Sequence, residues 1–375
     1  MLEQEPLPVG SKVPAIVAQL LAGTKVKKQD VTHLLGLSDE SETQYLFSAA
    51  RRARKQHFNN KIFVYGFLYF STYCKNDCCF CQYRKTNTSL GRYRKSKRDI
   101  VGAAKKMAAT GVHLIDLTMG EDPLMFSAGQ NELTRFGDIV AAVQSQIVLP
   151  LMISPGVLDD ESLESFASAG IDWYACYQET HNREHYDTLR TGQSFDTRLS
   201  AKRTAKGKGI LTEEGLLLGV GESLEDIADS LVFMQSEGYD QVRAMTFVPQ
   251  KGVTIDSLGG KGSLQERITI AVMRLLMPDR LIPASLDVDG LDGLAGRLDA
   301  GANVVTSIVP PDEGLAGVAN NSLDIQECRR SLDMILPVLS FCGLEVATQE
   351  QYRDWLSKRH MRSDDFASRE IAGCV

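Results

Sequence analysis

The segment YCKNDCCFCQYR, residues 73–84, gathers thiols at short spacing: Cys74, Cys78 and Cys81 stand as C-x3-C-x2-C, with Phe80 just before the last. Soft thiolates in such a run select an iron–sulfur cluster or zinc. A closed zinc site takes four ligands, usually as two paired elements; no second pair follows, and His57 is the only histidine nearby. Three thiolates suit a cluster of four irons instead, leaving one iron without a protein ligand and open to a small molecule. Zinc or a labile structural cluster stays open as an alternative, because a short cysteine motif can be fortuitous. Cys79, between two of the candidate ligands, reads as a bystander.

The elements that would position this loop follow a regular alternation. Eight short apolar runs read as strands: FVYGFLYFS (63–71), HLIDLT (113–118), VLPLMIS (148–154), WYACYQ (173–178), LLLGV (216–220), QVRAMTFV (241–248), LIPASLDV (281–288) and NVVTSIV (303–309). Between them lie amphipathic stretches such as RDIVGAAKKMAATG and SLEDIADSLVFMQSEG, several ending in Gly as helix C-caps do. Eight strand–helix alternations predict an α/β fold, a (β/α)8 barrel of the TIM type. Each strand end carries polar residues that converge on one face in such a barrel: the cysteine loop, GEDP (120–123), SPG (154–156), QET (178–180), GVGES (219–223), PQKG (249–252), DVDG (287–290) and PPDEG (310–314). A helical lead-in is expected over 1–60, with Ser38, Glu40 and Glu42 opening an amphipathic helix. The barrel is expected over 61–345 and a charged helical tail over 346–375.

Composition narrows the class of function. A chain of 375 residues with 43% hydrophobic and 24% charged residues can bury one large core. Net charge is −7 and no long basic run occurs, which argues against nucleic acid as a partner, since phosphate contacts need a clustered cationic surface. No apolar run reaches a membrane span, and PAIVAQLLA is too short and too late for a signal peptide. Eight cysteines, four of them in one loop, do not form a disulfide framework. A cytoplasmic monomer acting on a small molecule is the expectation.

The cysteine loop after the first strand, GED after the second, QET after the fourth and GVGE after the fifth resemble the radical S-adenosylmethionine enzymes. The segments YFSTYCKNDCCFC, LIDLTMGEDP, MISPGV, YQET, LRTGQSFDTR, VRAMTF, LIPASLD and GANVVTSI resemble, within them, the 3-methylornithine synthases of pyrrolysine biosynthesis, over roughly residues 30–345. Biotin synthases and hydrogenase maturases are more distant matches. The resemblance implies one [4Fe-4S] cluster on Cys74, Cys78 and Cys81, and S-adenosylmethionine held near Gly120, Glu121, Ser154, Glu179 and Arg198. For Glu121 the alternative is a helix cap, for Glu179 a rim salt bridge, and for Arg198 a solvated helix position.

The resemblance further implies L-lysine as substrate and (3R)-3-methyl-D-ornithine as product, through a 5′-deoxyadenosyl radical. A radical at the lysine γ carbon breaks Cα–Cβ; rejoining Cα to Cγ leaves the former Cβ as the methyl branch. A buried site for lysine needs opposite charges at both ends. Arg243, inside an apolar strand, is the candidate clamp for the carboxylate, Asp116 and Asp287 are candidates for the ammonium groups, and Ser285, sharing one strand face with Asp287, is a further substrate-binding candidate. The alternative is an ion pair within the barrel, Arg243 with Asp116 or Asp287.

Two rivals stand beside this reading. Cys176, Cys328, Cys342 and Cys374 are scattered singly and offer no second cluster for sulfur insertion, but a maturase-like enzyme on another amino-acid-derived substrate is the runner-up. A non-enzymatic iron–sulfur electron-transfer protein would not need the polar set at the other strand ends. The basic stretch RYRKSKR (92–98) is either a solvated loop or a docking surface for the low-potential electron donor, an acidic flavodoxin or ferredoxin.

Overall fold

Residues 7–126, 135–255, 264–310, 313–318 and 330–372 are described by the computed structural model. Eight parallel strands line the interior: β1 (Lys61–Ser71), β2 (Leu114–Met119), β3 (Leu151–Ser154), β4 (Trp173–Ala175), β5 (Leu211–Leu218), β6 (Gln241–Thr246), β7 (Pro283–Ser285) and β8 (Val304–Ile308). They pair in the order β6-β5-β4-β3-β2-β1-β8-β7, with helices outside, a nearly closed (β/α)8 barrel of the TIM type. β1 is long because its run of aromatic and branched residues is buried on both faces, as parallel strands covered by helices are.

Closure is uneven. β6 and β7 meet at a single bridge, Gln241 with Leu281, where the Val242 N–H donates to the Leu281 carbonyl at 3.0 Å. Above it a side chain takes over. Glu266, on the helix Leu264–Leu276, accepts from the Thr246 N–H (3.1 Å) and hydroxyl (2.6 Å) at the end of β6. Its other partner, Arg297, also pairs with Asp289 just past β7. A buried carboxylate and guanidinium thereby bind the two strand ends where no ladder runs.

Two expectations shift in detail. β5 starts at Leu211, five residues before the apolar run that marks it in the sequence, and takes in Glu213 and Glu214. Both glutamates are wholly buried, so charges that look like a loop belong to the barrel wall. β4 ends at Ala175, and the chain rejoins the sheet at a bridge between Glu179 and Leu216. In the lead-in, helices span Val13–Leu21, Lys28–Leu35 and Glu40–Phe58; the third is capped by Asp39, whose carboxylate accepts from the Glu42 N–H at 3.1 Å, rather than by Ser38.

The opposite end of the barrel is plugged. The helix Gln349–Ala372 places Tyr352 beneath β1, its hydroxyl 2.8 Å from that of Tyr65, and Trp355 stacked on Trp173 at 5.9 Å. A strand β9 (Glu345–Val346) leads into it by pairing with the start of β1. With this end sealed, the interior opens only toward the strand C-termini, among the described residues.

Candidate active site

The cysteine loop leaves β1 and folds over the barrel mouth. Arg92 organises it: one guanidinium donates to the carbonyls of Thr72, Tyr83, Arg84 and Asn87. Arg94 pairs with the buried Asp122, at 2.6 and 3.0 Å. In the basic stretch Arg92, Arg94 and Lys95 are thus engaged within the chain, Lys95 on the Glu313 carbonyl, and Lys97 and Arg98 are its exposed basic members. Cys74, Cys78 and Cys81 line one cavity of about 1240 Å³, counting its open mouth. Cys79 is buried off that wall.

Hydrogen-bond donors surround the three sulfurs. The Asn76 N–H lies 3.4 Å from Cys74 Sγ and the Tyr83 N–H 3.3 Å from Cys81 Sγ. Gln193 Nε2 and an Arg190 nitrogen lie 2.9 and 3.5 Å from Cys78 Sγ. Burial pushes the Cys74 thiol up, and burial together with the neighbouring Cys78 and Cys74 sulfurs pushes Cys81 up further. Ionisation at Cys74 and Cys81 is thereby costly unaided, and iron relieves that cost because it binds the thiolate. Gly120 fits the loop closely, since a Cβ there would lie 2.4 Å from the Tyr73 carbonyl and 2.8 Å from Cys74 Cβ.

The residues assigned by resemblance to S-adenosylmethionine surround the loop and the same cavity. Gly120, Glu121, Ser154, Glu179 and Arg198 all line it. Glu121 and Arg198 are ion-paired with each other at 2.9 Å; Arg198 also donates to Gln193 Oε1 (2.7 Å) and Cys176 Sγ (3.0 Å). Arg198 and the nearby Lys75 help hold the Glu121 carboxyl below its usual range, against the opposing effect of burial. Glu179 pairs with Arg190 at 2.9 Å, while its Oε2 is buried without a hydrogen-bond partner among the described residues. Arg190 and Gln193 are absent from the residues named on sequence. Both lie in LRTGQSFDTR, the segment that also supplies Arg198, and Arg190 joins the cluster loop to the QET turn.

Deeper in, charge is arranged differently from the expectation. Arg243 donates through Nε to Glu213 at 2.8 Å, not to either aspartate, and through Nη1 to Thr306 at 3.2 Å; its Nη2 is buried and unpartnered. Tyr177 donates to the other oxygen of Glu213 at 2.8 Å. Its ring fits because residue 215 is glycine, where a Cβ would meet the ring at 2.9 Å. Asp287 is paired with Arg330 and accepts from the Tyr69 and Ser307 hydroxyls, each at 2.8 Å. Ser285 is buried behind it, its hydroxyl accepting from the Asp287 N–H at 3.2 Å, and does not line the cavity. Asp116 accepts from the Ser154 hydroxyl at 2.8 Å, with the Thr118 side chain also close, and has no ion-pair partner among the described residues; burial raises its carboxyl to about 7.

The Radical SAM superfamily model matches residues 68–234. The 3-methylornithine synthases of Methanosarcina acetivorans and Methanosarcina barkeri are each 42% identical over 334 residues, 89% of this chain and 94% of theirs. The chain belongs to the 3-methylornithine synthase family. A crystal structure of methylornithine synthase, PylB, superposes with a TM-score of 0.84 at 40% identity, covering 91% of this chain and 99% of that one. As a family of radical S-adenosylmethionine enzymes, the methylornithine synthases call for an iron–sulfur cluster and that cofactor. The donor set here fits: three soft sulfurs on one wall, each with an N–H donor, beside a carboxylate oxygen with no partner.

For a methylornithine synthase the remaining cysteines carry little weight. Cys176 lines the cavity as an acceptor for Arg198, Cys342 lies on the outer surface beside Arg51 and Asp299, and Cys328 and Cys374 fall outside the described residues. Part of PPDEG, at 311–312, is also outside them. No helix among the described residues is long and apolar enough to cross a membrane.

Proposed function

We propose that this enzyme isomerises L-lysine to (3R)-3-methyl-D-ornithine, the first step of pyrrolysine biosynthesis. The observation that carries this reading is the charge inside the barrel. Among the described residues, three carboxylates, Asp116, Glu213 and Asp287, face two guanidiniums, Arg243 and Arg330, which leaves one positive charge wanting there and Asp116 as the carboxylate without a counter-ion. Lysine brings that charge. Its carboxylate finds the Nη1/Nη2 end of Arg243, the side of the fork that Glu213 leaves, and an ammonium finds Asp116 and Ser154. An ammonium at Asp116 stabilises the ionised carboxylate that burial disfavours.

Cys74, Cys78 and Cys81 hold the cluster in this reading, and Gly120, Glu121, Ser154, Glu179 and Arg198 line the place of S-adenosylmethionine. When bound, the pair supplies a 5′-deoxyadenosyl radical able to remove hydrogen from an unactivated carbon. Loss of hydrogen at Cγ lets the substrate break Cα–Cβ and rejoin Cα to Cγ, and return of a hydrogen from 5′-deoxyadenosine to the former Cβ makes it the methyl branch, so that the isomerisation involves no net change in atoms or electrons. The protein's task is to hold two fragments in orientation and away from water. The apolar wall of Phe67, Leu217, Phe247 and Val288 supports that task, while Arg243 and Asp116 fix the two polar ends. A flavodoxin or ferredoxin supplies the electron.

The test is direct. With the cluster reconstituted anaerobically, reductant, S-adenosylmethionine and L-lysine are expected to yield an isomer of lysine that co-elutes with authentic 3-methylornithine. Lysine recovered unchanged, while the cofactor is cleaved in the presence of a different amino acid, would overturn the assignment.

A further inference from the structure

Behind the barrel wall, on the face of β5 turned away from Glu213, Glu214 and Lys202 form an ion pair with both side chains 0% exposed. Neither lines the cavity. Lys202 lies midway along the helix Phe195–Gly207 and donates both to Glu214 Oε2 and, at 3.3 Å, to the side-chain oxygen of Gln178. Glu214 Oε1 in turn accepts from two backbone N–H groups, those of Gln178 (2.7 Å) and Gly215 (2.8 Å). Gln178 is completed by its amide donating to the Phe195 carbonyl at 3.1 Å.

What this network grips is the residue next along. Glu179 has φ 71°, the left-handed region, which is strained for a residue with a Cβ. Its own N–H reaches the Gly215 carbonyl at 3.1 Å and its carbonyl receives the Leu217 N–H at 3.0 Å. That backbone geometry turns the side chain into the cavity, where Oε2 stands buried and without a partner. A strained backbone persists only when its surroundings over-determine it. Here the over-determination comes from Glu214, and a lone buried carboxylate survives as a strong acceptor only beside a counter-charge. Lys202 and the nearby His181 keep Glu214 ionised, at about 2, against the effect of burial.

We propose that Lys202 is a positioning residue for the cofactor pocket: through Glu214 it holds the Gln178–Glu179 turn in the form that presents the free oxygen of Glu179. This rests on the reading of Glu179 as a residue that binds S-adenosylmethionine. It makes the paired glutamates of β5 a two-sided device, Glu213 fixing the Arg243 guanidinium within the barrel and Glu214 fixing the cofactor turn from outside it.

A double-mutant cycle on the cluster-loaded protein separates the two ideas. The dissociation constant for S-adenosylmethionine is measured by equilibrium dialysis for Lys202→Met, Glu179→Gln and the double variant, with lysine binding and the spectrum of the reduced cluster as controls. Each single change is expected to weaken cofactor binding roughly tenfold, as loss of a charge-assisted hydrogen bond does, and the double no more than either alone. Lysine affinity and the cluster spectrum should stay as in the parent. A Glu179→Gln protein that binds the cofactor normally overturns the reading of Glu179. Normal binding by Lys202→Met with weak binding by Glu179→Gln overturns the role of Lys202 alone, as does multiplication of the two effects to about a hundredfold, the additivity of independent sites. An equal loss of lysine affinity also overturns it, since that marks general loosening. If Lys202→Met does not fold, the cycle is run with Lys202→Met/Glu214→Gln, which removes the buried charge as a pair.

Discussion

Asp116 on β2 and Asp287 beyond β7 line the same cavity and are both buried, yet they are held in opposite electrostatic states. Asp287 is saturated: a guanidinium on one oxygen, two hydroxyls on the other. Asp116 has one serine and no cation. Burial is shared, so burial does not decide what a carboxylate is for. The partner does: a carboxylate whose counter-charge is built in belongs to the scaffold, and one whose counter-charge is missing is left for a ligand.

The largest break in that comparison is Asp287→Ala. It leaves the Arg330 guanidinium, wholly buried, without its ion-pair partner, and removing one member of such a pair costs about 3–5 kcal/mol. Denaturant unfolding should show this as a lowered midpoint. Asp116→Asn removes an unpaired charge instead and should leave the midpoint unchanged or higher near neutral pH. Equal destabilisation by the two variants would erase the distinction.

Asp116→Asn has its effect on the ligand. Losing a charge-assisted contact of about 1.5–3 kcal/mol should weaken lysine binding by roughly 10- to 150-fold, read by calorimetry. The pH dependence sharpens it. The folded carboxyl titrates near 7 against 3.8 unperturbed, so the folded state holds the proton more tightly. Its contribution to stability is therefore greatest below pH 3.8 and is lost as pH rises toward 7. Lysine runs the other way: its ammonium requires the ionised form, so affinity should tighten as pH rises through 7 and level off above it. In Asp116→Asn both trends should vanish, and a lysine affinity that is flat across pH 6–8 in the parent protein would refute the assignment of Asp116.

The barrel was legible because parallel strands covered by helices must read as short apolar runs, and the runs fell at regular intervals. Glu213 broke that signal. Two adjacent glutamates look like a loop, and only the position of Arg243 on the neighbouring strand β6 makes one of them a wall residue. The closure of β6 and β7 through Glu266 and Arg297 was hidden for the same reason, since side-chain bridging leaves no periodicity. Within the site, the cysteines and the cofactor-side loops were carried by motif, whereas the division between Asp116 and Asp287 was not. It depends on Arg330, far along the chain, and no local pattern announces which buried aspartate an arginine will reach.

Ser285→Ala is the smallest and finest test. On strand parity Ser285 shares a face with Asp287, which makes it a candidate for substrate contact, but its hydroxyl is turned to the Asp287 N–H and lies 3.5 Å from that of Ser307. It touches the aspartate that is already saturated and stays off the cavity wall. If saturation is what separates scaffold from site, removing this hydroxyl loses one neutral hydrogen bond, about 0.5–1.5 kcal/mol of stability, and leaves lysine affinity within twofold. A drop in affinity that matches Asp116→Asn, with stability intact, would mean that the β7 wall contacts substrate after all and that Asp287 gives up Arg330 when lysine binds.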